Sequence, residues 1–251
     1  MKILGSDFDG TLTCGGIGEE KLAAIAKWQK AGNKFGLVSG RNVGYLEVLK
    51  EMYPSLKLDF FAACNGGYII DGEGNLLRAI PCEGVELISL VKELLAWGAT
   101  FAHVVADEYL CAVADMKNRP SFVPEDKCCL VDDIPNFPCY YEVSVEFSSP
   151  QEAEPMVRRV REKYGAWLTP LQNGRCIDIV PLGVDKAKGL YLVMEYFGAS
   201  YDDVIAVGDS GNDEAMIREF RSYAMESGTE YIKQFANGVI RDVTEIFEKE
   251  M

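Results

Sequence analysis

Met1-Lys2-Ile3-Leu4-Gly5-Ser6-Asp7-Phe8-Asp9-Gly10-Thr11-Leu12 opens the chain, and how this stretch is read decides the fold. The apolar pair Ile3-Leu4 runs straight into Asp7, the pattern of a short buried strand that stops on a polar residue. Beyond it, residues 19–30 carry Leu22, Ile25, Ala26 and Trp28 at helical spacing and end at Gly32, and residues 35–38 form a second apolar strand. Strand, helix and strand in that order make a βαβ unit, which demands parallel strands. A third run, 58–64, breaks at Asn65-Gly66-Gly67, and residues 68–70 with Asp71-Gly72 begin a hairpin. Near the other end, residues 204–207 are an apolar strand entering Gly208-Asp209, with a helix over 214–220. Both ends therefore build one α/β core, a doubly wound parallel sheet made of residues 1–80 and 183–251.

Residues 81–182 have another texture and read as an inserted α+β domain. A helix over 85–97 is followed by strands over 100–105 and 109–114, then a Pro- and Asp-rich passage. A strand over 140–147, a charged helix over 151–164, and strands near Trp167 and over 176–180 complete it. There is no internal repeat and no low-complexity segment.

Composition narrows the partners. At 251 residues and 48% hydrophobic content the chain can bury a large core. Its formal charge of -14, from 39 acidic and 25 basic residues, opposes nucleic acids and anionic membranes, so a small molecule or a protein is the expected ligand. An anionic ligand would need a metal and a few placed cations to reverse the field locally. The eight cysteines are scattered without a Cys-x-x-Cys pair, which suits reduced thiols. The N-terminus meets charge too early for a signal peptide, and no run is long enough to cross a membrane; cytoplasmic residence is the expectation. Oligomeric state is not legible.

Four polar clusters each stand just past a core strand: Asp7-Phe8-Asp9-Gly10-Thr11, Ser39-Gly40-Arg41, Asn65-Gly66-Gly67, and Gly208-Asp209-Ser210-Gly211-Asn212-Asp213. The carboxyl ends of parallel strands are where ligands bind in open α/β sheets, so these clusters are expected to converge there. Alone, Asp7-x-Asp9 reads equally well as a solvated turn. With Asp209 and Asp213 it becomes a set of crowded carboxylates that calls for a hard cation, and magnesium suits carboxylate oxygens supplemented by water or substrate. Lys186, opening a helix over 186–197, is the candidate cation opposite them; on the residues alone it could equally be a solvent-exposed lysine.

These motifs resemble those of the haloacid dehalogenase superfamily of aspartyl-phosphate phosphatases, in its Cof-like subfamily with a large α/β (type IIB) cap. Asp7-Phe8-Asp9-Gly10-Thr11-Leu12 looks like the first motif and Ser39-Gly40-Arg41 the second, with Ser39 where many relatives have threonine. Gly183-Val184-Asp185-Lys186 resembles the lysine motif and Gly208-Asp209-Ser210-Gly211-Asn212-Asp213 the acidic fourth motif. The resemblance implies a Rossmann-like core and a mobile cap that helps choose the substrate. It implies Asp7 as nucleophile and Asp9 as acid and base, with Mg²⁺ held by Asp7, Asp209 and the Asp9 carbonyl, Asp213 in support. Ser39, the Gly40 amide, Lys186 and Asn212 would hold the phosphoryl group. Arg41, Asn65, Gly66 and, on the cap, Arg175 are candidate substrate contacts; Asn173 and Asp178 flank the last. The implied substrate is a small, sugar-phosphate-like metabolite.

Rival readings stay in view. Gly208-Asp209-Ser210-Gly211 superficially matches a serine-protease loop, but the only histidine, His103, lies in an apolar stretch and suits a buried structural imidazole. One histidine also excludes multi-histidine zinc sites. A phosphosugar mutase of the same superfamily shares the first chemical step, and an idle binding protein on the same fold is a third reading. A dehalogenase would need neither Asp9 nor the metal.

Overall fold

A computed structural model of the chain describes residues 1–106 and 108–251. Two compact units emerge, Met1–Ala79 with Asp185–Met251, and Ile80–Val184. The crossings lie slightly outside the 81–182 read from composition. Gly183 and Val184 stay with the insert because their amides donate to Thr169 Oγ1 (3.2 Å) and to the Pro181 carbonyl (3.0 Å).

In chain order the first half of the core comprises β1 (Ile3–Ser6), α1 (Glu19–Lys30), β2 (Lys34–Val38), α2 (Tyr45–Met52), β3 (Phe60–Ala63), β4 (Tyr68–Ile70) and β5 (Leu76–Ala79). The insert follows with α3 (Leu87–Ala96), β6 (Phe101–Val105), β7 (Tyr109–Val113), β8 (Cys128–Leu130), β9 (Glu142–Glu146), α4 (Pro150–Tyr164), β10 (Leu168–Asn173) and β11 (Cys176–Pro181). The core resumes with α5 (Lys186–Phe197), β12 (Val204–Gly208), α6 (Glu214–Glu219), β13 (Arg221–Met225), α7 (Glu230–Lys233), β14 (Gly238–Ile240) and α8 (Thr244–Glu250).

The core sheet runs β14-β13-β12-β1-β2-β3-β4-β5. The six strands from β14 to β3 are parallel, and the β4-β5 hairpin adds an antiparallel edge. From β1 the chain winds outward through β2 and β3; on its return it starts again beside β1 at β12 and winds the other way. That reversal makes β1/β12 the topological switch point, where open α/β sheets bind ligands. Alternation along the strands gives each face its own core. Ile3, Val38, Phe60 and Ala62 pack with Leu190 and Val193 of α5 and Ile217 of α6. Phe35 points the other way, to Phe247 of α8, which also meets Trp28 of α1.

The insert's sheet has the order β10-β11-β9-β6-β7-β8, antiparallel throughout except for the β7-β8 pair. Ala102, Val104, Val143, Val145, Ile177 and Ile179 turn to one face, where they meet Leu90, Val91 and Leu94 of α3 and Ala153 and Val160 of α4. His103 is half-buried on the opposite face, stacked on Tyr109 and edge-on to Phe101. All eight cysteines are free thiols. Among the described residues no helix is long and apolar enough to cross a membrane.

Candidate active site

Asp7 and Asp209 leave the C-terminal ends of the adjacent strands β1 and β12, whose register pairs Ser6 with Val207. The topology thus brings together carboxylates from opposite ends of the sequence. After Asp7 the backbone makes an irregular turn over Phe8–Leu12 in which Asp9 is extended and Gly10 has φ 81°. A Cβ on Gly10 would fall 2.7 Å from Asp209 Oδ2, so glycine is required both for the left-handed backbone and for the close approach. Thr11 closes the turn onto the second strand, its hydroxyl donating to Asp209 Oδ1 at 2.8 Å.

Lys186 joins the carboxylates from the N-terminus of α5. Asp185 caps that helix by accepting the Lys188 amide at 2.8 Å, which sets the direction of the next side chain. The Lys186 ammonium, with the residue only 1% exposed, donates to Asp7 Oδ1 at 2.7 Å and to Asp213 Oδ1 at 2.6 Å. Burial works against its charge, yet Asp213 and Asp7 together raise its pKa above the ordinary lysine value. Asp213 Oδ2 accepts the amides of Asp209 (2.9 Å) and Ser210 (3.0 Å), so this carboxylate is engaged on both oxygens and anchors the loop. Burial pushes the Asp7 carboxyl up to about 7, against the pull of Lys186 and reinforced by Asp213 and Asp209. Asp209 is also raised, chiefly by burial.

Oxygens of Asp7, Asp209 and Asp213 lie within 4.8 Å of one another. An all-oxygen set in which burial and like charge push protons onto two members fits a hard divalent cation, which would relieve both.

The other expected residues distribute as follows. Ser39 is buried at the end of β2; its Oγ accepts the Arg41 amide at 3.2 Å, and its carbonyl accepts the Asn65 amide at 2.9 Å. Gly40 is half-buried beside it. Asn65 is buried in the left-handed region at φ 53°. Gly66 has φ 94°, and a Cβ there would meet the Asp185 carbonyl at 2.6 Å and the Gly189 Cα at 2.8 Å, so this turn packs directly on the start of α5. Asn212 accepts the Ser210 hydroxyl at 2.6 Å. Asp9 stands apart from the buried cluster, exposed and held by Arg41 through two 2.9 Å bonds, while the guanidinium lies over the Tyr45 ring. Arg175 belongs to the insert, where it pairs with Glu146 at 3.0 Å. Two contacts lie outside the motif-based expectations: Thr11 to Asp209, and Asp213 to the amides of residues 209 and 210. The Ser-x-x-Asp spacing of Ser210 and Asp213, a capping box in the structure, was the available signal for the latter.

A lysine-bridged aspartate cluster at the switch point of a doubly wound sheet defines an α/β enzyme suited to a small anionic substrate. Residues 4–246 match the model of the haloacid dehalogenase-like hydrolase family. The 5-amino-6-(5-phospho-D-ribitylamino)uracil phosphatase of Escherichia coli (strain K12) is 27% identical over 244 residues, covering 90% of this chain and 86% of that protein. The pyridoxal phosphate phosphatase of the same organism is 23% identical, covering 97% and 94%. A solved haloacid dehalogenase-like hydrolase from B. subtilis superposes with TM-score 0.82 at 16% identity, covering 100% of both chains. The chain belongs to the haloacid dehalogenase-like hydrolases and is a phosphatase of small phosphorylated molecules.

Proposed function

We propose that the chain is a magnesium-dependent phosphomonoesterase that works through an aspartyl-phosphate on Asp7. The observation that carries this reading is the buried ammonium of Lys186 lying between Asp7 and Asp213, with Asp209 beside them. A cation fixed this deeply against the Asp7 carboxylate is suited to neutralising a phosphoryl group brought up to the same oxygen.

Asp7 attacks phosphorus in line with the leaving oxygen, and the leaving group departs as an alcohol once Asp9 has given it a proton. Asp9 then takes a proton from the water that cleaves the acyl phosphate and regenerates Asp7. For this cycle Asp9 must leave the Arg41 ion pair seen here and turn toward the leaving oxygen. Ser39, the Gly40 amide, Lys186 and Asn212 hold the phosphoryl oxygens, and Arg41, Asn65 and Gly66 border the rest of the substrate. Mg²⁺ would be held by Asp7, Asp209 and the Asp9 carbonyl, supplying charge that lets a phosphate dianion sit among carboxylates. Asp213, engaged on both oxygens, keeps Asp209 and Lys186 in place.

Two of the relatives are named for phosphate esters whose leaving group carries a heteroaromatic ring. Ring-bearing phosphate esters therefore join sugar phosphates as the first substrates to try. The test is phosphate release from such a panel, with Mg²⁺ and again in excess chelator. Release that stops with chelator and returns with added Mg²⁺ is expected; undiminished release in chelator overturns the metal assignment.

A further inference from the structure

Among the described residues, two lysines are buried: Lys186 at 1% exposure, already placed, and Lys21 at 4%. Lys21 lies in the first turn of α1, where a cation opposes the helix dipole and also bears a desolvation cost. Three acceptors offset this. Its ammonium donates to the Leu12 carbonyl (2.8 Å) and the Cys14 carbonyl (2.8 Å) and stands 3.0 Å from Asp242 Oδ2, which uses all three of its donors.

What Lys21 holds is the far side of the turn that carries Asp7. The Leu12 amide donates to the Asp7 carbonyl (3.2 Å), the Thr13 amide to the Phe8 carbonyl (3.1 Å), and the Gly10 amide to Thr13 Oγ1 (3.0 Å). Between them Thr11 reaches Asp209. With Asp9 extended and Gly10 left-handed, these bonds do not make an unbroken helical ladder, and Lys21 adds two more from outside the segment. Asp242 in turn accepts the amide of Thr244, the first residue of α8, at 2.9 Å. A line of short polar contacts therefore runs from the start of α8 through Asp242 and Lys21 to the backbone of Asp7.

We propose that Lys21, backed by Asp242, is a positioning residue for the reaction: it fixes the turn that aims Asp7, and with it the Asp9 carbonyl, without touching substrate. The inference rests on Asp7 being the nucleophile.

Because Lys21 grips the loop and not the phosphoryl group, its loss should lower kcat and leave KM nearly alone. With p-nitrophenyl phosphate as probe, Lys21→Met is expected to lower kcat by about tenfold or more, since displacements near 1 Å at a reacting group cost up to about a hundredfold. KM is expected to stay within about twofold, because Ser39 and Lys186 still meet the phosphate. Asp242→Asn keeps an oxygen for the Thr244 amide but removes the charge facing Lys21, so a smaller fall in kcat of the same kind is expected. A folded Lys21→Met protein with unchanged kcat, or one whose KM rises as much as its kcat falls, overturns the inference. Should Lys21→Met fail to fold, Asp242→Asn decides, and an unchanged kcat in that variant is equally fatal. Asp7→Asn measured alongside separates the two levels: if it is inert while the Lys21 variants are normal, only the positioning role falls, whereas an active Asp7→Asn removes the nucleophile itself.

Discussion

Lys186 shows how a single side chain can hold a site and endanger it. Stripped of its ammonium, the pocket would keep Asp7 and Asp213 buried without a counter-ion, a situation that costs about 3–5 kcal/mol in comparable buried pairs. Lys186→Met is therefore expected to lose about 3–5 kcal/mol of stability in metal-free buffer, and denaturant titration measures it; a loss below about 1 kcal/mol would mean the pair is not closed in solution. His103 carries the opposite lesson. Burial lowers its pKa from 6.5 to about 4, so between those values this ring carries fewer protons in the folded protein than in the unfolded chain. The ring's contribution to stability is thus fully present above pH 6.5 and drains away as pH falls toward 4, by on the order of 2 kcal/mol for this half-buried group. His103→Gln should flatten that limb of the stability–pH curve; an unaltered slope would show that other groups produce it. The carboxylates were legible in the sequence because Asp-x-Asp and Gly-Asp-x-Gly-Asn-Asp are dense and end apolar runs. The burial of Lys21 was not, since a lysine next to Leu22 in an amphipathic helix gives no local sign that three oxygens wait for it.

At the scale of elements, β1, α1, β2 and β12 were readable because each is bounded by a polar or glycine stop and packs with a plain period. Residue-level facing was less secure: Ala26, counted toward the apolar stripe of α1, is exposed, while Lys21 is buried in that stripe. The short partners β8, β13 and β14 and the helices α2 and α8 were not anticipated. Three-residue strands such as β8 and β14 carry too little pattern to register, and their pairing is decided by the strands beside them. The contact between the Cys64–Gly66 turn and α5 is also tertiary. Gly66 has φ 94°, and backbone atoms of Asp185 and Gly189 lie less than 3.0 Å from where an alanine Cβ would stand. Gly66→Ala is therefore expected to cost about 2 kcal/mol or more and to disturb Lys186 through α5. Matching melting curves for Gly66→Ala and wild type would contradict that packing.

For the whole molecule, a formal charge of -14 surrounds a site that must admit an anion. The general field slows the approach of a phosphate dianion, and salt screens that field over about 8–10 Å at physiological strength. Consequently kcat/KM for a dianionic ester should rise as ionic strength increases from near zero toward about 0.15 M, the reverse of an enzyme with a cationic funnel. A steady fall over that range would place an unrecognised basic path on the surface. The reversal of winding between β1 and β12 delivers Asp7, Asp209, Asp213 and Lys186 to one point, so the field a phosphate meets there is set by neighbours a few ångströms away and not by the distant surface charge. Rapid acid quench of the enzyme during turnover, followed by mass spectrometry of its peptides, reads the chemistry at that point. One added phosphoryl group on the peptide containing Asp7, absent from Asp7→Asn, is the expected result; sustained turnover with that peptide never phosphorylated would contradict it.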